Sequence, residues 1–328
     1  MISKKTIRKQ KKPTLTEERK KSRKIFQKNK KIDLRDQFSR TPNPEQIEVS
    51  KKYDFDLLAI KHQPLLKYVY INDKGRSTVD WSNPLALIEL NKAILAVDFN
   101  ILYWSIPESS LCPTIPSRLN YLTWLSSLNN IAAKAKEVLG LDIGTGASLI
   151  YPILGNAKFR WKFVGTEISE ESLKNCEEIL EKNKLKDSIS LRKSDGGIFE
   201  KVITTNEFFD FSMCNPPFFE DFEEQKTVPW RASKMKEHEG LTKLGETGFL
   251  QQMFEESLKF KKNIAVFTSL VGKKGDFQEI RAFIEEKKKT IPELLSMHIY
   301  WTTIYQGKNA RWIVGWSFGD KNLEEKAA

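Results

Sequence analysis

Val138-Leu139-Gly140-Leu141-Asp142-Ile143-Gly144-Thr145-Gly146-Ala147-Ser148 reads as an apolar strand that opens into a glycine loop. Leu149-Ile150-Tyr151-Pro152-Ile153-Leu154 then starts a helix. Glycines let the backbone turn sharply and come close to a ligand. Two common phosphate loops do not match. The lysine and hydroxyl of GxxxxGK[ST] are missing, and Ser148 and Leu149 stand where the third glycine of GxGxxG would fall. Asp142 precedes the glycines instead. A carboxylate there repels a pyrophosphate and suits a ligand carrying an ammonium and a sulfonium.

Three further strands follow. Trp161-Lys162-Phe163-Val164-Gly165-Thr166 runs into Glu167, where the ribose hydroxyls of a nucleotide are held in Rossmann-like sites. Ile189-Ser190-Leu191-Arg192-Lys193-Ser194 runs into Asp195, within reach of an adenine. Phe208-Phe209-Asp210-Phe211-Ser212-Met213-Cys214 runs into Asn215-Pro216-Pro217-Phe218. An acid or amide thus ends each of four successive strands, the edge at which open α/β sheets bind ligands. Any one of them also reads as an ordinary loop residue. All four in order, behind a glycine loop, point to S-adenosyl-L-methionine, with Asp142, Gly144, Thr145, Gly146 and Ser148 near its methionine end.

The fourth strand end adds the chemistry. Two consecutive prolines have no N–H, so their carbonyls are free to face a ligand. Asn215 adds a side-chain acceptor, and Phe218 adds a flat π-surface. Two acceptors and a ring suit a planar group with an exocyclic amine, the geometry for methylating a conjugated nitrogen. Taken alone, the same four residues read equally as a proline turn with a core Phe.

Beyond the glycine loop and Asn215-Pro216-Pro217-Phe218, the segments Ile115-Pro116-Ser117-Arg118-Leu119-Asn120-Tyr121, Ala147 to Gly155, Gly272-Lys273-Lys274 and Gln306-Gly307-Lys308-Asn309-Ala310-Arg311-Trp312 make the pattern specific. Together they resemble the methyltransferase-like protein 16 family, from about Tyr53 to Phe318. That family includes bacterial large-subunit ribosomal RNA adenine-N6 methyltransferases and eukaryotic enzymes acting on U6 spliceosomal RNA. The resemblance implies a class I S-adenosylmethionine-dependent methyltransferase fold with a Rossmann-like, mostly parallel sheet. It implies that Arg118 reaches the cofactor carboxylate, that Asn215, Pro216, Pro217 and Phe218 hold the target adenine, and that Lys308 and Arg311 lie near RNA. Lys273 and Lys274 join them as expected RNA contacts. No metal is expected, and oligomeric state is not readable.

Charge divides the chain. Residues 1–40 hold 16 of its 54 Lys+Arg and 4 of its 43 Asp+Glu, a net of +12 in a chain whose total is +11. The positive charge is therefore an N-terminal arm. Runs such as Lys9-Gln10-Lys11-Lys12 and Lys20-Lys21-Ser22-Arg23-Lys24 cannot bury apolar surface, so the arm is expected to be disordered without a partner. It serves either RNA binding, through Lys11, Lys12, Arg23 and Lys24 among others, or nuclear import, or both. It favours U6 small nuclear RNA as partner and the nucleus as location, with bacterial ribosomal RNA and the cytoplasm as alternatives. No apolar run has the length of a membrane span, and Met1-Ile2-Ser3-Lys4-Lys5 does not open a signal peptide. Cys112, Cys176 and Cys214 are too widely spaced for a metal pattern.

The expected organisation is the arm (1–40), an N-terminal helical cap that contributes to RNA binding (41–134), a domain of alternating strands and helices (135–320) and a short tail (321–328). Ser296-Met297-His298-Ile299-Tyr300-Trp301 and Arg311 to Phe318 are expected to pair as an antiparallel edge. The charged stretch between Phe219 and Gly248 is either a substrate lid or an inert insertion. The expected activity is methyl transfer to N6 of an unpaired adenosine in a structured RNA. A protein-glutamine methyltransferase, a DNA adenine methyltransferase and a non-catalytic RNA-binding protein remain the alternatives.

Overall fold

The computed structural model describes residues 53–107, 110–128, 131, 137–216, 245–306 and 309–319. These belong to a compact unit, Asn43–Ala328, and the other unit, Met1–Pro42, lies outside the described residues. So do Lys11, Lys12, Arg23, Lys24, Pro217, Phe218, the stretch 219–244 and Lys308.

Helix α1 (Phe55–Lys61) starts where the Asp54 carboxylate accepts from Leu57 N at 3.0 Å. A short 3-10 turn leads to an antiparallel hairpin, β1 (Val69–Ile71) and β2 (Ser77–Val79). Its turn forms because Asn72 Oδ1 accepts from the N–H groups of Lys74 and Arg76. Helix α2 (Pro84–Phe99) is capped by Asn83, with proline at its first position, and α3 (Ile115–Ser127) also opens with proline in its first turn.

The remaining elements alternate: β3 (Leu139–Ile143), α4 (Ile150–Phe159), β4 (Lys162–Glu167), α5 (Glu170–Lys182), β5 (Ile189–Lys193), β6 (Phe209–Cys214), α6 (Gly245–Ser257), β7 (Ile264–Val271), α7 (Lys274–Thr290), β8 (His298–Gln306) and β9 (Asn309–Ser317). One seven-stranded sheet results, in the order β5-β4-β3-β6-β7-β9-β8. The first five strands are mutually parallel, and β9 runs antiparallel to both β7 and β8. Every residue of β6 and β7 is buried, as expected of parallel strands covered on both faces. Strand order reverses at β3, which places a crevice at the carboxyl ends of β3 and its neighbours.

Neighbouring residues of the central strands feed two core clusters. Phe163 and Phe211 join one with the buried residues of α2, α3 and α4, while Leu141, Val164 and the buried residues of α6 and α7 form the other. Phe163 and Phe211 fit because residue 140 is glycine. A Cβ there would stand 2.5 Å from Phe211 Cζ and 2.8 Å from Phe163 Cε1.

The antiparallel edge is longer than the sequence-based strands. β8 continues past Trp301 because Thr302 and Ile304 alternate inward, and β9 begins at Asn309, paired with Gln306. Trp316 is fully buried and stacks on Phe267. Cys112, Cys176 and Cys214 are free thiols. No helix among the described residues is long and apolar enough to cross a membrane.

Candidate active site

A cavity of about 350 Å³ opens at the carboxyl ends of β3, β4, β5 and β6. The glycine loop forms one wall. Gly144 and Gly146 take φ of +66° and +62°, which L side chains rarely adopt, and a Cβ on either would meet nothing within 4 Å. The loop backbone is turned, with open space in front of it for a ligand. Several hydrogen bonds hold it. Thr145 N donates to Thr166 O at 2.8 Å, Gly146 N donates to Glu167 Oε2 at 3.0 Å, and Trp104 Nε1 donates to Ser148 O at 2.8 Å. Asn175 Nδ2 ties Ala147 O to Ser105 O, so the segment before α3 and helix α5 brace the loop together.

Asp142 lies beneath this loop and not on the cavity wall. Its carboxylate accepts from Thr145 Oγ1 at 2.7 Å and is 1 % exposed. Burial pushes its pKa up to about 7, opposed by the Thr145 hydroxyl, reinforced by Glu167 and opposed by Arg118. It pins the loop from below. Glu167 does face the cavity. Besides Gly146 N, its carboxylate accepts from Ile168 N at 2.8 Å and Ser169 N at 3.0 Å, which fixes it at the end of β4. Arg118 also lines the cavity, its guanidinium 5.5 Å from the Tyr151 ring.

Asp195 departs from the expectation of an adenine contact. It pairs with Lys201 at 2.8 Å on the surface, and Ser194, Gly196, Gly197 and Ile198 line the cavity in its place. The reason is local: solvent and a lysine satisfy the carboxylate, while the two glycines bring backbone inward.

Asn215 closes the cavity at the end of β6. Its Oδ1 is buried and has no hydrogen-bond partner among the described residues. Such an atom costs about 1–3 kcal/mol unless a donor meets it. Pro216 beside it is buried, and Pro217 and Phe218 lie outside the described residues. Arg311 sits half-buried on β9 with Nη1 turned to the carbonyls of Ala310 (3.0 Å) and Gly272 (3.4 Å), and desolvation by burial lowers its pKa, with nearby Arg118 pushing the same way. Lys273 and Lys274 are exposed at the start of α7.

Helix α6 contributes residues that sequence reasoning left unassigned. Phe249 and Gln252 line the cavity. Glu246, 3 % exposed, accepts from Gly272 N at 2.7 Å through Oε1, and its carboxyl group lies beside that of Asp276. Burial pushes its pKa up to about 8, and the Asp276 carboxylate pushes the same way. The helical spacing of Leu250, Met253, Phe254 and Ser257, all buried, was the available signal, masked by the polar residues before it. Among the described residues no group of three or more His, Cys, Asp and Glu could hold a metal.

The donor set fits S-adenosylmethionine: a cationic side chain for a carboxylate, an acid at the second strand for ribose hydroxyls, a glycine cradle and an unpartnered acceptor. Comparison with known proteins agrees. The RNA methyltransferase family matches residues 45–320. Ribosomal RNA large subunit methyltransferase F of Flavobacterium johnsoniae is 37% identical over 301 residues, covering 84% of this chain and 93% of the relative. The human METTL16 catalytic domain in complex with MAT2A 3'UTR hairpin 1 superposes with TM-score 0.73 at 31% identity, covering 82% of this chain and 93% of that domain. The human METTL16 N-terminal domain in complex with SAH gives TM-score 0.69 at 29% identity, covering 84% and 98%. The chain therefore belongs to this RNA methyltransferase family, of the methyltransferase-like protein 16 kind, and works with S-adenosylmethionine.

Proposed function

We propose that this enzyme methylates N6 of an unpaired adenosine in large-subunit ribosomal RNA. The observation that carries the adenosine reading is the buried, unpartnered Oδ1 of Asn215 at the cavity. An exocyclic amine is the donor that satisfies it. Ribosomal RNA is favoured because bacterial relatives named for that substrate reach 37% identity, against 31% for the human domain. The expectation of U6 RNA and a nuclear location rested on the basic arm, which suits ribosomal RNA equally well.

When bound, S-adenosylmethionine supplies an electrophilic methyl group on a sulfonium. Arg118 offers its guanidinium to the carboxylate, and Glu167 offers its carboxylate to the ribose hydroxyls. Asn215 Oδ1 and the Pro216 carbonyl accept the two amine hydrogens, which leaves the nitrogen lone pair free for the methyl group. The resemblance assigns stacking on the base to Phe218, an interaction worth about 1–3 kcal/mol. The nitrogen needs no strong base beforehand, because its proton leaves readily once it carries positive charge. Positioning and preorganised acceptors therefore supply the rate. Unpaired adenosines are the accessible substrates.

The test is transfer of labelled methyl to unmodified large-subunit ribosomal RNA, U6 RNA, DNA and co-purified protein, followed by nucleoside and amino-acid analysis. Label in N6-methyladenosine of the ribosomal RNA, lost in Asn215→Ala, is the expected result. Label confined to U6 RNA, DNA or glutamine would overturn the reading.

A further inference from the structure

Gln252 lies on the cavity side of α6, one turn after Phe249. Its Nε2 donates to Glu256 Oε1 at 2.8 Å. The other oxygen of Glu256 accepts from Ile198 N at 3.0 Å and Phe199 N at 2.9 Å. A carboxylate that already accepts from two backbone N–H groups offers only acceptors, so the amide of Gln252 must turn its nitrogen to Glu256. That leaves Gln252 Oε1 as an acceptor on the cavity side, with no hydrogen bond to any described residue. Glu256 thereby sets two things at once: the path of the chain after Gly196 and Gly197, which line the same cavity, and the polarity of the amide facing it.

We infer that Gln252, oriented by Glu256, reads the 6-amino group of the cofactor's adenine. The proposal rests on the assignment of S-adenosylmethionine to this cavity. An adenine amine also belongs to the target nucleoside, but position separates the two. Gln252 is tied through Glu256 to Ile198, in the segment after β5, the neighbour of the strand carrying Glu167. Asn215 ends β6, on the other side of β3. Phe249 and Ile198 add apolar surface for a flat ring, the amide adds one acceptor, and Asp195 is occupied by Lys201. Glu256 is a positioning residue in this arrangement.

Calorimetric binding of S-adenosylhomocysteine and S-inosylhomocysteine tests it. The two differ at ring position 6, a donor amine against an acceptor carbonyl, and with it at N1, an acceptor in the adenosyl ligand and an N–H in the inosyl one. Wild type should prefer the adenosyl ligand by about tenfold, the worth of one hydrogen bond. Gln252→Leu should bring the two affinities within about twofold. Glu256→Gln should go further. The new amide would keep its oxygen on Ile198 N and Phe199 N and turn its nitrogen to Gln252, whose own amide would then flip and face the cavity with N–H. The preference should shift toward the inosyl ligand, which a merely structural role of Glu256 would not produce. Thermal melts check that both variants fold. An unchanged ratio in Gln252→Leu, an equal loss of both ligands in either variant, or a raised KM for RNA with an unchanged ratio would overturn the proposal. Failure of wild type to bind either ligand would instead remove the cofactor assignment on which it rests.

Discussion

Asn215 keeps an oxygen buried at the cavity and unpartnered among the described residues, so its role should separate binding from chemistry. Asn215→Ala should lower methyl transfer by at least about a hundredfold, the usual cost of a lost preorganised hydrogen-bonding group at a reacting centre, while cofactor affinity in a binding titration stays within a few-fold. Loss of cofactor binding would make the residue structural. Glu246 carries a pH dependence. Its pKa is raised to about 8 in the folded chain, so between the unfolded carboxyl value and about pH 8 the native state holds a proton that the unfolded state has lost. Stability therefore falls as pH rises through that window. Glu246→Gln, which keeps an acceptor for Gly272 N, should flatten this part of the stability–pH curve in denaturant titrations from pH 5 to 8.5. Neither residue's condition was readable beforehand. Asn215 announced itself beside two prolines, but that its oxygen lacks a partner depends on what the fold places around it.

At the scale of elements, the glycine loop depends on a neighbour distant in sequence. Trp104 precedes α3, yet its indole N–H holds the carbonyl of Ser148. Trp104→Phe keeps the apolar packing and removes one buried hydrogen bond, so stability should drop by about 1–3 kcal/mol and KM for S-adenosylmethionine should rise several-fold in steady-state assays. Strand β3 makes the complementary case. Gly140→Ala would drive a methyl into the Phe163 and Phe211 rings, and overpacking of this kind costs about 1–3 kcal/mol. Combining it with Phe163→Leu should recover part of the loss, and additive effects in the double mutant would show that the clash is not the cause. Strands β3, β4, β5 and β6 were legible because short apolar runs ending in a polar residue carry their own boundaries. The extension of β8 to Gln306 was not, because Thr302 to Tyr305 mixes polar and apolar residues, and only pairing with β9 makes the alternation meaningful.

At the scale of the molecule, charge and catalysis lie in different stretches of chain. Residues 1–40 carry a net of +12 and the rest about −1. Deleting residues 1–40 should weaken RNA affinity and make its salt dependence shallower, by about 0.7 in log–log slope for each single-strand phosphate that the arm neutralises. The midpoint of unfolding for the remaining unit should change little. A salt slope identical to that of the full chain would assign the arm no role in RNA binding.

Fold class, cofactor and the order of the site along the chain were decided by the sequence alone. These are local properties: a glycine loop after an apolar strand, a polar residue closing each strand, two prolines after the fourth. What only the tertiary structure decided is which of those residues line the cavity. Asp142 went beneath the loop and Asp195 went to Lys201, while Phe249 and Gln252 arrived from a helix with no motif of its own. A side chain's direction is set by long-range competition for hydrogen bonds and buried volume among groups tens of residues apart, and spacing along one segment does not encode that.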